Sequence, residues 1–231
     1  GLDDVQQSKA FISISSKALA KNQIELSNLL HQTLNSVKFT ESNRLTDLIE
    51  QICARKESSI TGQGHSLAMS LASSKMSPAA SLIHRFSGLE GIKQIKSIKG
   101  DLSRSGTVEN LLEKFKQLHQ VIVKSPTQLL SIAEQEQQES LTNALDSIWK
   151  SNFESLRGND GFHLPEMRRS LSEAWTTATQ VNFCAKAFPT VASNHKDNAT
   201  LHVLAGYLRN GFLHRAIREQ GGAYGLSLIH I

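Results

Sequence analysis

The chain has 231 residues, of which 39% are hydrophobic and 20% are charged. This composition is typical of a folded protein with one large domain or two smaller ones, and it excludes a disordered chain. The net charge of +4, from 25 basic and 21 acidic residues, is too evenly balanced to favour nucleic acid as a partner. No apolar run is as long as a membrane span, so a membrane is not a predicted partner either.

The two cysteines indicate a reducing environment. Cys53 and Cys184 lie far apart and neither has a partner at metal-ligand spacing, so both are predicted to be reduced structural thiols. The N-terminus shows no basic-then-apolar export signal. These features favour a cytoplasmic or organelle-matrix-like setting. The chain opens with Gly-Leu-Asp-Asp rather than Met, so we expect its natural beginning to lie upstream.

The N-terminal segment is predicted to contain one strand followed by helices. Residues 11–15 alternate apolar and small polar side chains, as a half-buried strand does. Apolar residues at helical spacing then predict one helix that ends near residue 37. They predict a second that ends near residue 59, with Thr40 as its N-cap.

Glycine and proline divide the next segment. A glycine-broken joint at residues 61–65 precedes a small-residue helix over 67–75, and Ser77-Pro78 begins another helix because proline suits the first helical turn. A second break falls at 87–91. An amphipathic helix is predicted over 108–123, then a short strand over 128–132 and a polar-faced helix over 134–149.

A cluster of turn residues at 157–161 predicts a linker. It divides the chain into a first unit, residues 1–156, and a second unit, residues 157–231. In the second unit a strand is predicted over 177–187, followed by a capping turn at 194–197 and a long helix to Gln220. Apolar residues cover most of that helix, so we expect it to be largely buried. The order of elements predicts a helix-rich α+β fold.

The run from Arg218 to Gly225 closes the long helix with a Gly-Gly turn. Glycine can end a helix in the left-handed conformation. Arg218 and Tyr224 both donate hydrogen bonds. Donors held at a rigid helix end can bind a peptide carbonyl or an oxyanion. The alternative is an ordinary helix C-cap and a buried tyrosine. Arg209 and Arg215 are interpreted as cations that suit the negative end of the helix dipole.

The chain carries no complete catalytic or metal-ligating set. None of the nine histidines has a second ligand at the spacing of a helical zinc site. His195 and His202, for example, are seven residues apart, and no third ligand stands at a matching helical spacing. A Gly-x-Ser-x-Gly elbow and a phosphate-binding loop are also absent from the sequence. The histidines are therefore predicted to be surface or core residues.

Two segments near the C-terminus resemble a known family. Residues 180–186 (QVNFCAK) and 208–225 (LRNGFLHRAIREQGGAYG) are similar to the C-terminal half of presequence-protease-type zinc metallopeptidases of the pitrilysin and insulinase group. Residues 57–65, 77–80 and 86–92 resemble the domain associated with that branch. The resemblance covers the chain from about residue 11 to residue 225.

This resemblance implies a fold, a reaction and a set of partners. Family members have four related α/β domains, paired into two halves that close around a peptide. The chain would then contain two α/β sandwich-like units: an associated domain at 1–156 and a truncated C-terminal peptidase-like domain at 157–231. It implies that Arg218 and Tyr224 are the catalytic and substrate-binding residues, which reach the substrate carbonyl on closure. The partners are the peptide substrate and the N-terminal half of the same polypeptide.

The chain departs from the family in two ways. It has no zinc motif, so zinc would be bound by the N-terminal half of the parent enzyme and none by this chain, which we expect to be inactive alone. The last six residues, 226–231, resemble a translated sequencing adapter and are expected to be non-native; the alternative is a native closing strand. Two other functions stay open: a non-catalytic structural half, and a helical interaction module built on residues 109–123 and 134–149.

Overall fold

The structure, a computed structural model, describes residues 4–8, 10–154 and 164–229. Eight α-helices lie in this part of the chain, with two short 3-10 turns and one π-helical segment. The α-helices are α1 (Gln23–Asn35), α2 (Ser42–Gly62), α3 (Gly64–Ser73), α4 (Pro78–Ser87), α5 (Leu89–Asp101), α6 (Thr107–Val123), α7 (Gln138–Glu154) and α8 (Asn198–Asn210). The 3-10 turns are Ala20–Asn22 and Gln135–Gln137, and the π-helical segment is His214–Gln220.

Local sequence signals correctly predicted most helix positions. The Ser77 hydroxyl accepts a hydrogen bond from the Ala80 backbone N–H at 3.1 Å and caps α4, whose first residue is Pro78. The helix predicted over 108–123 is α6, which starts one residue earlier. Thr40 is not the cap of α2, since Glu41 precedes the first helical residue.

Helices α2 to α6 form the main packed unit. α2 packs against α3, α5 and α6, and α4 packs against both α3 and α5. Its buried apolar side chains come from three of these helices: Ile49 and Cys53 from α2, Leu67 from α3 and Ile92 from α5. Burial of this apolar surface is the main contribution that holds the unit together.

α1 and α7 form a second pair, centred on Trp149. The indole Nε1–H of Trp149 donates to the Ser27 hydroxyl at 3.1 Å, and its ring meets the His31 ring edge-on with centroids 5.2 Å apart. The pair is joined to α6 where His119 Nε2 lies 2.6 Å from the Leu34 carbonyl. One aromatic side chain therefore organises the contact between two helices that are far apart in sequence.

An extended segment that begins at residue 164 crosses the turn between α3 and α4. The Arg169 N–H donates to the Lys75 carbonyl at 2.9 Å. The Gln6 side chain bridges the same region, because its amide donates to the Met76 carbonyl at 3.0 Å and accepts from the Met167 N–H at 2.7 Å. These bonds place residues after 164 beside the helices of the main unit.

The predicted α+β fold with two α/β sandwich-like units is wrong for the described residues, which contain helices and no strand. Residues 11–15, 128–132 and 177–187 are irregular, and their apolar side chains are largely exposed, as Phe11, Leu130 and Val181 illustrate. Alternating side chains form a strand only where a neighbouring strand pairs with the backbone. Within the described part of the chain none of the three segments has such a neighbour.

The long, buried helix predicted to reach Gln220 is also corrected. α8 ends at Asn210, where Gly211 adopts a non-helical conformation, and the chain continues as the π-helical segment. No residue of α8 is buried, and Val203, Tyr207 and Phe212 are mostly exposed. The apolar circumference is present as predicted, but among the described elements the main contact of α8 is with the π-helical segment that follows it, and that contact is small.

Two sequence-based predictions concern the linker between units and the absence of membrane spans. The linker at 157–161, and with it the boundary between units at 156/157, lies outside the described residues, so the division into domains stays a prediction. As for membrane spans, none of the helices in the described ranges combines the length and the apolar character needed to cross a bilayer.

Candidate functional site: the helix end at Arg218 and Tyr224

Arg218 and Tyr224 stand on either side of the turn that ends the π-helical segment. Arg218 lies in the last turn of that segment, and Tyr224 follows the Gly221-Gly222 pair. Both side chains are exposed, Tyr224 to 96%. The alternative of a buried tyrosine is therefore wrong, and both donors are accessible to a ligand. Their catalytic role stays a prediction.

The glycine pair shapes this turn. Gly222 has φ of 69°, the left-handed conformation that glycine adopts without steric cost. A Cβ at Gly221 would lie 2.6 Å from the Ile217 carbonyl oxygen, so a larger residue would disturb the turn. The Ala223 N–H donates a hydrogen bond to the same Ile217 carbonyl oxygen at 3.1 Å. The predicted glycine-terminated helix end is confirmed, and it fixes the chain path between the two donors.

The π-helical register brings together a pair that the sequence reasoning missed. His214 Nδ1 lies 3.2 Å from Glu219 Oε1, both on partly exposed side chains. Residues five apart in sequence align in a π-helix, whereas an α-helix aligns residues three or four apart. A search at α-helical spacing pairs His214 with Arg218 instead. Seven-residue π-segments are rare, so the sequence offered no strong signal for this pair.

No metal centre is evident in the described ranges. In residues 4–8, 10–154 and 164–229 no group of three His, Cys, Asp or Glu side chains is arranged to hold a metal ion. Both cysteines are free thiols, Cys53 buried in the main unit and Cys184 exposed. The residues present here therefore do not fit a zinc site.

A second polar site lies in the main unit and was not predicted. A pocket of about 250 Å³ opens between α3, α4, α5 and the extended segment. Its walls are formed by Leu71, Ser74, Lys75, His84, Glu90, Lys93, Glu173 and Trp175. These residues come from four separate stretches of sequence, so no motif spacing could have revealed the pocket.

His84 in this pocket is buried and lacks a partner at one ring nitrogen. The side chain is 5% exposed, and Nδ1 has no hydrogen-bond partner among the described residues. Burial lowers the pKa of His84 below its ordinary value of 6.5, because the charged imidazolium is disfavoured away from water. The carboxylates of Glu90 and Glu173 act in the opposite direction, while Lys75 lowers the pKa further.

The lowered pKa of His84 predicts a pH dependence of stability. Below pH 6.5 the imidazole of His84 takes up a proton in the unfolded chain but resists protonation in the folded chain. The free energy of unfolding therefore decreases as the pH is lowered from 6.5 to the folded-state pKa. We expect His84→Asn to flatten this part of the urea-unfolding profile measured at a series of pH values. The exposed His65, changed to Gln, is the matched control and should leave the profile unchanged. If the free energy of unfolding changes equally with pH in the wild type, the His84→Asn variant and the His65→Gln variant, the prediction is contradicted.

Comparison with known proteins shows which proteins this chain is similar to. The family described as peptidase M-16C associated matches residues 1–98. The mitochondrial presequence protease of Yarrowia lipolytica is 29% identical over 90% of the chain, and that of Drosophila melanogaster is 28% identical over 97%. Presequence protease 1, chloroplastic/mitochondrial, of Arabidopsis thaliana is 25% identical over 93%.

Both comparisons confirm the resemblance that the sequence motifs indicated: the chain is similar to presequence proteases over most of its length, and its N-terminal residues 1–98 match the peptidase-associated family. The proteins that it resembles along nearly its whole length are presequence proteases of fungal, animal and plant origin. The chain spans only 20–22% of the length of these three relatives.

Proposed function

We propose that this chain is the non-metal half of a zinc metalloendopeptidase that degrades short unstructured peptides. In this role Arg218 and Tyr224 donate hydrogen bonds to the substrate carbonyl and to the oxyanion that develops from it. The observation that carries the proposal is the similarity to presequence proteases over 90–97% of the chain. The exposure of both side chains supports it further.

The chemistry of the two donors suits peptide recognition. A guanidinium always carries its charge and offers several N–H groups, while a phenol offers one O–H at neutral pH. Donors aimed at the position where negative charge develops stabilise the transition state more than the ground state. Because Arg218 and Tyr224 flank a turn whose path two glycines define, the separation between their backbones is set before substrate binds.

In this proposal the catalytic zinc ion is bound outside this chain. The described residues contain no suitable ligand cluster, so zinc would be held by the N-terminal half of the parent polypeptide. That half is the partner of this chain, and this chain alone is expected to hydrolyse no peptide. The exposed apolar side chains of α8, among them Val203 and Tyr207, and the nearby Phe212 support a further packing partner for the C-terminal helix.

The names of the relatives support an organelle-matrix location. Two of them are called mitochondrial and the third chloroplastic/mitochondrial. We therefore favour the organelle matrix over the cytoplasm for the parent enzyme.

One observation favours the alternative of a non-catalytic helical interaction module. α6 presents Leu118 and Val121 to solvent, and both lie on the helix that this alternative requires as a docking surface. Such a module would not need Arg218 or Tyr224. The two functions therefore differ in what the loss of these donors does to turnover.

Substitution of the two donors in the complete parent enzyme tests the proposal. We expect Arg218→Ala and Tyr224→Phe each to lower kcat by roughly 10²–10³-fold, the effect of removing one oxyanion donor. Turnover of a short unstructured peptide would be measured under saturating substrate. Arg215→Ala and Tyr207→Phe are matched controls, since both residues are exposed neighbours of the same type. Turnover equal to that of the controls would support the non-catalytic alternative instead.

A further inference from the structure

The π-helical segment His214–Gln220 receives little support from the rest of the fold. α8 ends at Asn210, and Gly211 adopts a non-helical conformation before the segment begins. None of its seven residues is buried, and its contact with α8 is small. Helices shorter than about 12–15 residues are marginal in water unless packing stabilises them. Interactions between side chains of the segment itself can therefore decide which helical register it adopts.

The contact between His214 and Glu219 fits the π-helical register. His214 Nδ1 lies 3.2 Å from Glu219 Oε1. An ionised carboxylate only accepts hydrogen bonds, so the Nδ1–H group of the imidazole is the donor. The two residues are five positions apart, the spacing that a π-helix aligns. An α-helical register would instead align His214 with Arg218 and Arg215 with Glu219. The contact therefore stabilises the π-helical register relative to the α-helical one.

The register of the segment sets the direction of the Arg218 side chain. Arg218 lies between His214 and Glu219 in sequence, so a change of register rotates its side chain about the helix axis. The turn that leads to Tyr224 is fixed separately, by the bond from the Ala223 N–H to the Ile217 carbonyl and by the left-handed Gly222. The orientation of the guanidinium relative to the phenol therefore depends on the register.

We propose that His214 and Glu219 are positioning residues, whose contact keeps the segment in the π-helical register and so directs the Arg218 guanidinium toward the substrate carbonyl. Both act through Arg218 and neither touches the substrate. This inference rests on the proposed function of Arg218. The two side chains are 40% and 58% exposed, so the contact is screened by water. An exposed pair of this kind shifts an equilibrium by roughly 1.5- to fivefold.

Substitution of the pair in the complete parent enzyme tests the inference. We expect His214→Ala and Glu219→Ala each to lower kcat for a short unstructured peptide by roughly 1.5- to fivefold. His214→Asn keeps an N–H donor near the position of Nδ1 and should restore kcat to nearly the wild-type value. His195→Ala is the matched control, because it removes another exposed histidine–carboxylate contact, to Asp197 at 3.7 Å, and should leave kcat unchanged.

Two results of these single substitutions would overturn the inference. A kcat of His214→Ala equal to that of His195→Ala would show that the contact does not position Arg218. A loss well above tenfold exceeds what an exposed pair can contribute, and would show that His214 acts on the substrate directly.

Combination with Arg218→Ala separates this inference from the proposed function. Because His214 acts through Arg218, adding His214→Ala to Arg218→Ala should lower kcat no further, as for two residues that share one effect. Equal losses from His214→Ala with and without Arg218 would refute the positioning role, while the proposed function of Arg218 would stand. Unchanged kcat in Arg218→Ala alone would contradict the proposed function itself.

Discussion

Trp149→Ala is expected to lower the free energy of unfolding by about 3–5 kcal/mol, the usual cost of removing a buried indole. The Trp149 side chain is 5% exposed and fills the contact between α1 and α7. Its loss leaves a cavity and also leaves the Ser27 hydroxyl, 3% exposed, without its indole donor. Urea unfolding followed by far-UV circular dichroism would measure the change.

Two further variants calibrate the Trp149 result. Ser27→Ala removes the partner of the indole N–H but keeps the ring packing, so it should cost about 1–3 kcal/mol. Trp175→Ala is the matched comparison, because that tryptophan is 39% exposed in an irregular segment, and its effect should be clearly smaller than that of Trp149→Ala. If Trp149→Ala and Trp175→Ala destabilise the chain equally, the α1–α7 contact does not depend on Trp149.

Ile92→Ala is expected to destabilise the main unit by about 2–5 kcal/mol. Ile92 is 3% exposed on α5, the helix that packs against both α2 and α4. Removing its side chain takes apolar contacts from several helices at once, and close packing leaves little room for them to relax. The midpoint of urea unfolding should fall while the slope stays constant, as for a simple loss of stability.

Ile83 provides the control for this prediction. It lies on the neighbouring helix α4 but is 59% exposed, so Ile83→Ala should change the free energy of unfolding by no more than about 0.5 kcal/mol. Ile92→Val, which removes one methylene group, should cost about 0.5–1.5 kcal/mol. A larger loss for Ile83→Ala than for Ile92→Ala would show that the core lies elsewhere.

Two helix ends, the start of α4 and the glycine-terminated end of the π-helical segment, were predicted correctly from sequence because their causes are local. Ser77 caps α4 through a bond to a residue three positions on, and Gly222 ends the π-helical segment through its own backbone conformation. Each of these interactions involves neighbours in sequence and can therefore be read from a short window.

Strands were predicted wrongly because their cause is not local. Residues 11–15 have the alternation of a strand, yet a strand also needs a paired neighbour, and the described part of the chain supplies none. The same reasoning applies to the burial of α8. An apolar circumference indicates that a helix can be buried, while burial itself requires other elements to cover it.

The sequence by itself determined where most helices begin and end, which family the chain resembles, and that Arg218 and Tyr224 flank a glycine turn. These properties depend on residues a few positions apart, or on the order of motifs along the chain. Only the tertiary structure decided that both donors are exposed, that His214 meets Glu219, and that Ser74 and His84 share a pocket with Lys75 and Glu173. Burial and side-chain proximity arise when distant segments pack together, and that packing has no signature in the spacing of residues.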